Sequence, residues 1–338
     1  MLLTIIFILG VSFILYTVLG GADFGAGIVE TFAGKRGEKT ISKALAPVWE
    51  ANHVWLILAI VILFTGFPLV YAAISTALHI PLMVVLIGII LRGSFFTFRH
   101  YDIGEEGSHT YYTAVFKVSS FITPFFLGIT LGAMILGRIS LEITGTFYEQ
   151  YIWPWLNGFC VVMGVFSTVL FGYIASVFLI GETVHSPERY RYIRLSKRFL
   201  VGTFVMGIVV FVVAEFEDHP LFYEFFSSWP SLAAFAGVVL LIPLVFYLVN
   251  HPQAVYLRLA IGAQVGLIMV GWFAIQYPIL VYERQGNHLT FYNTQAPEAT
   301  LYQLLIALFV GLLLVIPCFF FLYKVFKPAE ANENATTQ

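Results

Sequence analysis

An all-α polytopic membrane protein with about nine transmembrane helices is the architecture this sequence predicts, and three observations carry it. Of its 338 residues 59% are hydrophobic and only 11% charged, against about 25% charged in an ordinary soluble domain. Mean hydropathy is +0.89. The apolar residues also gather into runs of the ~20 residues that cross about 30 Å of hydrocarbon as a helix. So few charges cannot cover a water-soluble globule of this size. Soluble enzymes, disordered chains and nucleic-acid binders are thereby excluded. The two cysteines, Cys160 and Cys318, lie in apolar runs and give no CxxC, haem-attachment or disulfide pattern.

Taken in order, the first run covers 2–22 and opens on Met1-Leu2-Leu3 without a basic segment, which reads as a retained span and not a cleaved signal. The second, 47–66, has Pro47 suited to a first helical turn and is closed by Gly66 and Pro68. Spans 75–97, 115–137 and 153–181 follow, the third ending near Arg92 and Arg99. The sixth, 199–215, is the shortest, pinned between Lys197-Arg198 and Glu215. Spans 231–249, 257–281 and 301–323 complete the set, while Trp153, Trp155 and Trp229 read as interfacial belt residues. One transmembrane domain over 1–327 and a polar tail over 328–338 are expected. A short echo links Tyr16-x-x-Leu19-Gly20 before Asp23 with Tyr173-x-x-Ser176 before Glu182. It leaves open two four-helix halves, 1–137 and 153–281, plus a peripheral ninth helix.

Basic residues orient the chain. Lys35, Arg36, Lys39 and Lys43 fill the first loop, Arg92, Arg99 and Lys117 flank the third, and Arg189, Arg191, Arg194, Lys197 and Arg198 fill the fifth. With Arg258, Lys324 and Lys327 they make fifteen of the 17 on one face; the other has only Arg138 and Arg284 and an acidic sixth loop. The positive-inside rule then places the N-terminus outside and the C-terminus in the cytoplasm.

Ionisable groups within a membrane are costly and mark function, and here they cluster at the cytoplasmic ends of the first three spans. Asp23 lies in Gly20-Gly21-Ala22-Asp23-Phe24-Gly25-Ala26-Gly27, and Glu50 in Ala46-Pro47-Val48-Trp49-Glu50-Ala51-Asn52-His53-Val54-Trp55. Glu50 is expected in the first turn of span two, where the helix dipole favours an anion. Asp23 is expected just past the end of span one, where the dipole opposes one. Two acids so biased suit inward proton transfer, with Asn52 and Trp55 one turn deeper; capping and pairing with nearby Lys or Arg is the competing reading. The glycine string lacks the GxxxxGK[ST] phosphate loop and suits backbone flexibility or close helix approach. His53 and His79 are the imidazoles that a haem would use, though a hydrogen-bonded histidine near a helix end is the commoner case.

These stretches resemble subunit II of cytochrome bd-type quinol oxidases. The glycine-aspartate block is similar to that family's G-x-D-x-G-x-G, and residues 46–55 to its A-P-x-W-[DE]-x-N-x-V-W. Phe67-Pro68-Leu69-Val70-Tyr71-Ala72, Arg92, Arg99 and Gly271-Trp272-Phe273 with Gln276-Tyr277-Pro278 and Leu289-Thr290 extend the likeness along the chain. The resemblance implies a respiratory complex that oxidises quinol and reduces oxygen to water. It places the b- and d-type haems and the quinol site in a partner, subunit I, beside which this chain packs without haem of its own. A small single-span accessory subunit, a structural quinone and bound lipid are further partners it allows. Carried over by residue, Glu50 matches the acid at the mouth of a cytoplasmic proton path and Trp55 its aromatic neighbour. Asp23 matches the aspartate of the first block, and Asn52, His53 and Arg92 stand in support. Glu50 replaces the Asp of many members and His53 a Gln, which moves the carboxylate about one carbon. A secondary transporter or channel subunit is the alternative; it calls for a polar midplane cavity, towards which the sequence offers little beyond Asn157, Gln264 and Gln276.

Overall fold

The computed structural model describes residues 1–45, 51–101, 106–142, 145–183, 188–251 and 254–326. Helices α1 (Leu2–Leu45), α2 (Val54–Gly66), α3 (Pro68–Ala77), α4 (His79–Tyr101) and α5 (Glu106–Ile135) form the first half. The short α6 (Phe147–Tyr151) leads into α7 (Gly158–Glu182) and α8 (Arg189–Phe216). After α9 (Leu221–Ser227) come α10 (Trp229–Val249), α11 (Ala254–Gln276), a two-stranded hairpin β1 (Ile279–Val281) and β2 (Leu289–Thr290), and α12 (Glu298–Phe326). Eight of the described helices are long and apolar enough to cross a membrane, and the bent pair α2–α3 makes up to nine. The chain is therefore an all-helical multi-pass membrane protein, as its hydropathy indicates.

Three spans differ most from the sequence reading, while the fifth starts as a helix only at Gly158 and the eighth ends at Gln276, before the strand Ile279–Val281. The first does not stop at residue 22: its membrane-length part runs Leu2–Gly34. The glycines around Asp23 are helical, and the break comes at Gly34, whose φ of 69° is readily available only to glycine. The second is bent by 114° between α2 and α3. Gly66 does close α2, and Pro68 stands at the first turn of α3, where its missing N–H is harmless. The sixth is among the longer helices, because Arg189–Arg198 are helical too and carry their charges on its first turns. Trp153 and Trp155 sit in the turn before α7, and both basic residues of the opposite face lie over Trp153, Arg138 at 4.6 Å and Arg284 at 5.1 Å. Arg138 also pairs with Glu217.

Packing runs across the two halves. α7 lies against α1, α5, α8 and α11, while α12 rests on α2. Two buried apolar clusters stack along the helices. One holds the start of α1 with α3, the end of α5, the start of α7 and the hairpin. The other holds the later part of α1 with the ends of α7 and α10, the start of α8 and much of α11. Glycines permit the closest approaches: a Cβ on Gly25 would stand 2.0 Å from the Phe171 carbonyl oxygen, and one on Gly128 2.4 Å from that of Met163. Close helix approach, the purpose expected of the glycine string, is what Gly25 serves.

Candidate functional site

Asp23 lies inside α1 and is fully buried, not exposed beyond a helix end. Its dipole bias at a C-terminus therefore does not arise, and its partner decides its chemistry. Arg92 of α4, equally buried, donates from Nη2 to Asp23 Oδ1 and to the Asp23 carbonyl oxygen at 3.1 Å. The guanidinium is boxed by Phe24, Phe96 and Phe116, with ring centroids 5.4, 5.9 and 5.4 Å away. An arginine stays charged even here, so it fixes one carboxylate oxygen. The other, Oδ2, has no hydrogen-bond partner among the described residues and lies 3.9 Å from Nε2 of His53.

His53 ends the single 3-10 turn Ala51–His53 that leads into α2. Its ring sits between Tyr16 (6.3 Å) and Phe24 (5.8 Å). The Tyr16 hydroxyl and His53 Nδ1 are likewise buried with no partner among the described residues. Asn52 donates from Nδ2 to the Leu19 carbonyl at 3.5 Å, which ties this turn to α1. The structure thus brings together Asp23, Asn52, His53 and Arg92 from three distant segments. Trp55 points elsewhere: it stacks on Phe319 of α12, centroids 5.9 Å apart at 11°. Glu50, with Pro47, lies outside the described residues.

A second acid, which the sequence reading passed over, repeats the arrangement two turns on. Glu30 is fully buried and accepts from Arg99 Nη1 at 2.8 and 3.0 Å, with Lys117 Nζ of α5 at 3.5 Å. Phe96 and Phe116 are shared, the Arg99 guanidinium lying 4.4 Å from the Phe116 centroid. Asp23 to Glu30 and Arg92 to Arg99 are each seven residues, about 10 Å of helix, so two parallel heptads of opposite sign lock α1 to α4. Beyond Gly34, Glu38 lies 3.4 Å from Nε2 of the half-exposed His109 and accepts from Thr113 at 3.4 Å. Tyr16, Asp23, Glu30 and Glu38 thus follow α1 from the interior to the surface at the end that holds the basic loops. The matched i, i+7 acids and arginines were the available signal for Glu30.

Other polar candidates are committed to structure. Asn157 caps α7 through Cys160 N–H at 2.9 Å, Gln264 accepts from the Tyr173 hydroxyl at 2.9 Å, and Gln276 donates to the Leu280 carbonyl at 3.1 Å. These three polar groups, which the transporter reading would have used, are thus held in structural contacts. His79 bonds the Thr76 carbonyl through Nδ1 at 2.9 Å at the start of α4, on the far side of the α2–α3 bend from His53. Among the described residues no three His, Cys, Asp or Glu side chains stand close enough to hold a metal ion.

Comparison with known proteins agrees with the fold. A family model described as cytochrome bd terminal oxidase subunit II matches residues 1–326. Subunit 2 of the cytochrome bd-I ubiquinol oxidase of Escherichia coli K12 is 28% identical over 230 residues, which are 63% of this chain and 59% of that protein. The match thus spans about three fifths of that relative's length. The putative cytochrome bd menaquinol oxidase subunit II of Bacillus subtilis 168 is 25% identical over 346 residues, 96% of this chain and 95% of that one. A chain of the bd oxidase from Geobacillus thermodenitrificans has the same fold, with a TM-score of 0.77 at 21% identity, covering 96% of this chain and 98% of that one.

Proposed function

Because the chain belongs to the family of cytochrome bd terminal oxidase subunit II, we propose that it is the non-haem subunit of a quinol:oxygen oxidoreductase in a bacterial plasma membrane. In this reading a multi-span subunit I carries the b- and d-type haems and the quinol site. The present chain stabilises that subunit and helps to draw protons from the cytoplasm for reduction of oxygen to water. Its own residues touch neither quinol nor oxygen.

The observation that carries the proposal is the buried acid-base string on α1. Within hydrocarbon, ionisable groups so close together are expensive, and groups kept at that cost mark function by default. Glu50 is assigned to the mouth of the path, with Trp55 as its aromatic neighbour, and Asp23 to its first buried station. Arg92 orients Oδ1 of Asp23 and keeps its charge throughout, so the unpartnered Oδ2 is the oxygen that receives or releases the proton. His53 Nε2, 3.9 Å away, is its nearest exchange partner on α1's neighbouring segment, and Asn52 holds that turn in place. The Glu30, Arg99 and Lys117 group offers a parallel approach from the surface pair Glu38 and His109.

The test uses the purified oxidase complex in proteoliposomes. Glu50→Gln and Asp23→Asn are each expected to slow oxygen consumption and proton uptake together by about a hundredfold, the lower end of the range for losing a positioned proton-transfer group, with haem content unchanged. Full turnover and normal potential generation in both variants would remove the proton path. Normal specific activity with poor recovery of the complex would make Asp23 a purely structural acid.

A further inference from the structure

The first turns of α8 carry a patch that the proton path does not use. Arg194, Lys197 and Arg198 are exposed, and no carboxylate pairs with any of them among the described residues. Their basic neighbours are committed: Arg189 donates to the carbonyls of Val249 and His251, Arg191 to that of Ala33, and Arg258 to Glu182. Spaced i, i+3 and i+4, the three cations share one face of the helix. Lys197 is held with its ammonium 5.6 Å from the Phe246 ring of α10, over a cleft floored by Tyr173 and Leu200.

The same face continues below them as hydrocarbon. Val201, Phe204, Val205, Ile208 and Val212 are 63, 54, 50, 51 and 50% exposed and fall in register with Arg194 and Arg198 at helical spacing. From Arg198 to Val212 the stripe is about 21 Å long, enough for the ~15 Å of acyl chain in one leaflet. A patch of unneutralised cations directly above an apolar stripe has the layout of a phospholipid from phosphate to chain end. Two of the three cations are arginines, whose planar fork matches a phosphate.

We propose that this face of α8 seats one anionic diacyl glycerophospholipid, its phosphate held by Arg194, Lys197 and Arg198 and one acyl chain laid along Val201 to Val212. A zwitterionic lipid leaves the cations less fully neutralised and is therefore disfavoured at the site. The inference is independent of the oxidase reading, because its residues take no part in the Asp23 cluster and its test needs no turnover.

The experiment takes the full-length protein, purified with the partners it carries, into phosphatidylcholine vesicles. Trace phosphatidylglycerol or phosphatidylcholine bearing a diazirine near the acyl-chain end is added and photolysed, and labelled peptides are mapped by mass spectrometry. Labelling of the 199–212 peptide is expected to be about tenfold greater from phosphatidylglycerol, the preference that three interfacial cations provide. R194Q/K197Q/R198Q should bring it to the phosphatidylcholine level, whereas R194K/R198K should retain most of the preference. Raised salt should weaken it in the unaltered protein, a readout that stands even if the triple variant fails to fold. Equal labelling by the two lipids, an unchanged preference in a folded triple variant, or abolition by low concentrations of inorganic phosphate would overturn the proposal.

Discussion

Removing one partner of the Asp23–Arg92 pair tests how much the fold depends on it. Both side chains are fully shielded from solvent, so Asp23→Leu leaves a guanidinium with no carboxylate against it. Breaking a buried pair from one side costs about 3–5 kcal/mol. Here the three rings at 5.4–5.9 Å and the Asp23 carbonyl remain, and cation–π contacts of about 0.5–2 kcal/mol offset part of the loss. A net loss of about 2–4 kcal/mol is expected for Asp23→Leu. Arg92→Met should cost a similar amount, because it strands the carboxylate without its donor. The double variant leaves no unpaired charge and should fall short of the sum by about 2 kcal/mol, within the range for directly contacting residues. Unfolding of the purified complex in mixed dodecylmaltoside–SDS micelles, followed by tryptophan fluorescence, measures all four corners. Additive losses, or single variants that lose less than about 1 kcal/mol, would refute the view that this pair locks α1 to α4.

Three further outcomes follow from the same geometry. Gly25→Ala should destabilise by about 1–3 kcal/mol through overpacking, since its Cβ would meet the Phe171 carbonyl at 2.0 Å and Ala175 Cβ at 2.7 Å. Gly10→Ala, which meets nothing within 4 Å, should show no such loss in the same assay. Trp55→Ala removes the stack on Phe319, worth about 0.5–1.5 kcal/mol beyond buried area. Faster hydrogen exchange in the last turns of α12, with haem content intact, is the expected reading, and unchanged exchange would contradict it. At the opposite end, burial holds His219, between α8 and α9, below the usual 6.5, with Nε2 donating to the Ile135 carbonyl at 3.1 Å. The unfolded chain takes up this proton first as pH falls. The stabilising contribution is therefore complete above about pH 6.5 and lost below it. The unfolding midpoint should drop on acidification, and His219→Gln should flatten the slope; an unaltered slope would count against it.

Much of the architecture was legible because hydrocarbon imposes length and charge rules that act on single residues. The nine apolar runs correspond to the eight helices and the bent pair, with the first two centred too early along the chain. The errors fall where a helix carries charge. An acid at residue 23 suggests a boundary to span one, yet Arg92, sixty-nine positions later, makes that acid tolerable inside the bundle. The sixth was cut short at Lys197-Arg198 for the same reason, although snorkelling cations belong on an interfacial first turn. Gly66 and Pro68 mark the break locally, but the bend at Phe67 is held by tertiary contacts that no local pattern states, Phe67 against Phe291 and the Ala296 N–H on the Gly66 carbonyl at 2.8 Å. Of the site, Asp23, Asn52, His53 and Arg92 do converge, as their motifs suggested. Trp55 turns instead to α12, where it stacks on Phe319. Glu30 went unremarked because its partners Arg99 and Lys117 lie on two other helices, and only the paired heptads hinted at them.

The central claim is that this chain works as the haem-free half of a quinol oxidase, and its composition in the membrane tests that most directly. The chain should be isolated from its native membrane by a C-terminal affinity tag and its subunit stoichiometry and optical spectrum recorded. The account predicts one multi-span partner in equal amount, b- and d-type haem absorbance that stays with that partner when the two are separated, and quinol-driven oxygen consumption by the pair. A chain recovered alone in stable form, or one that keeps haem after separation, would contradict it.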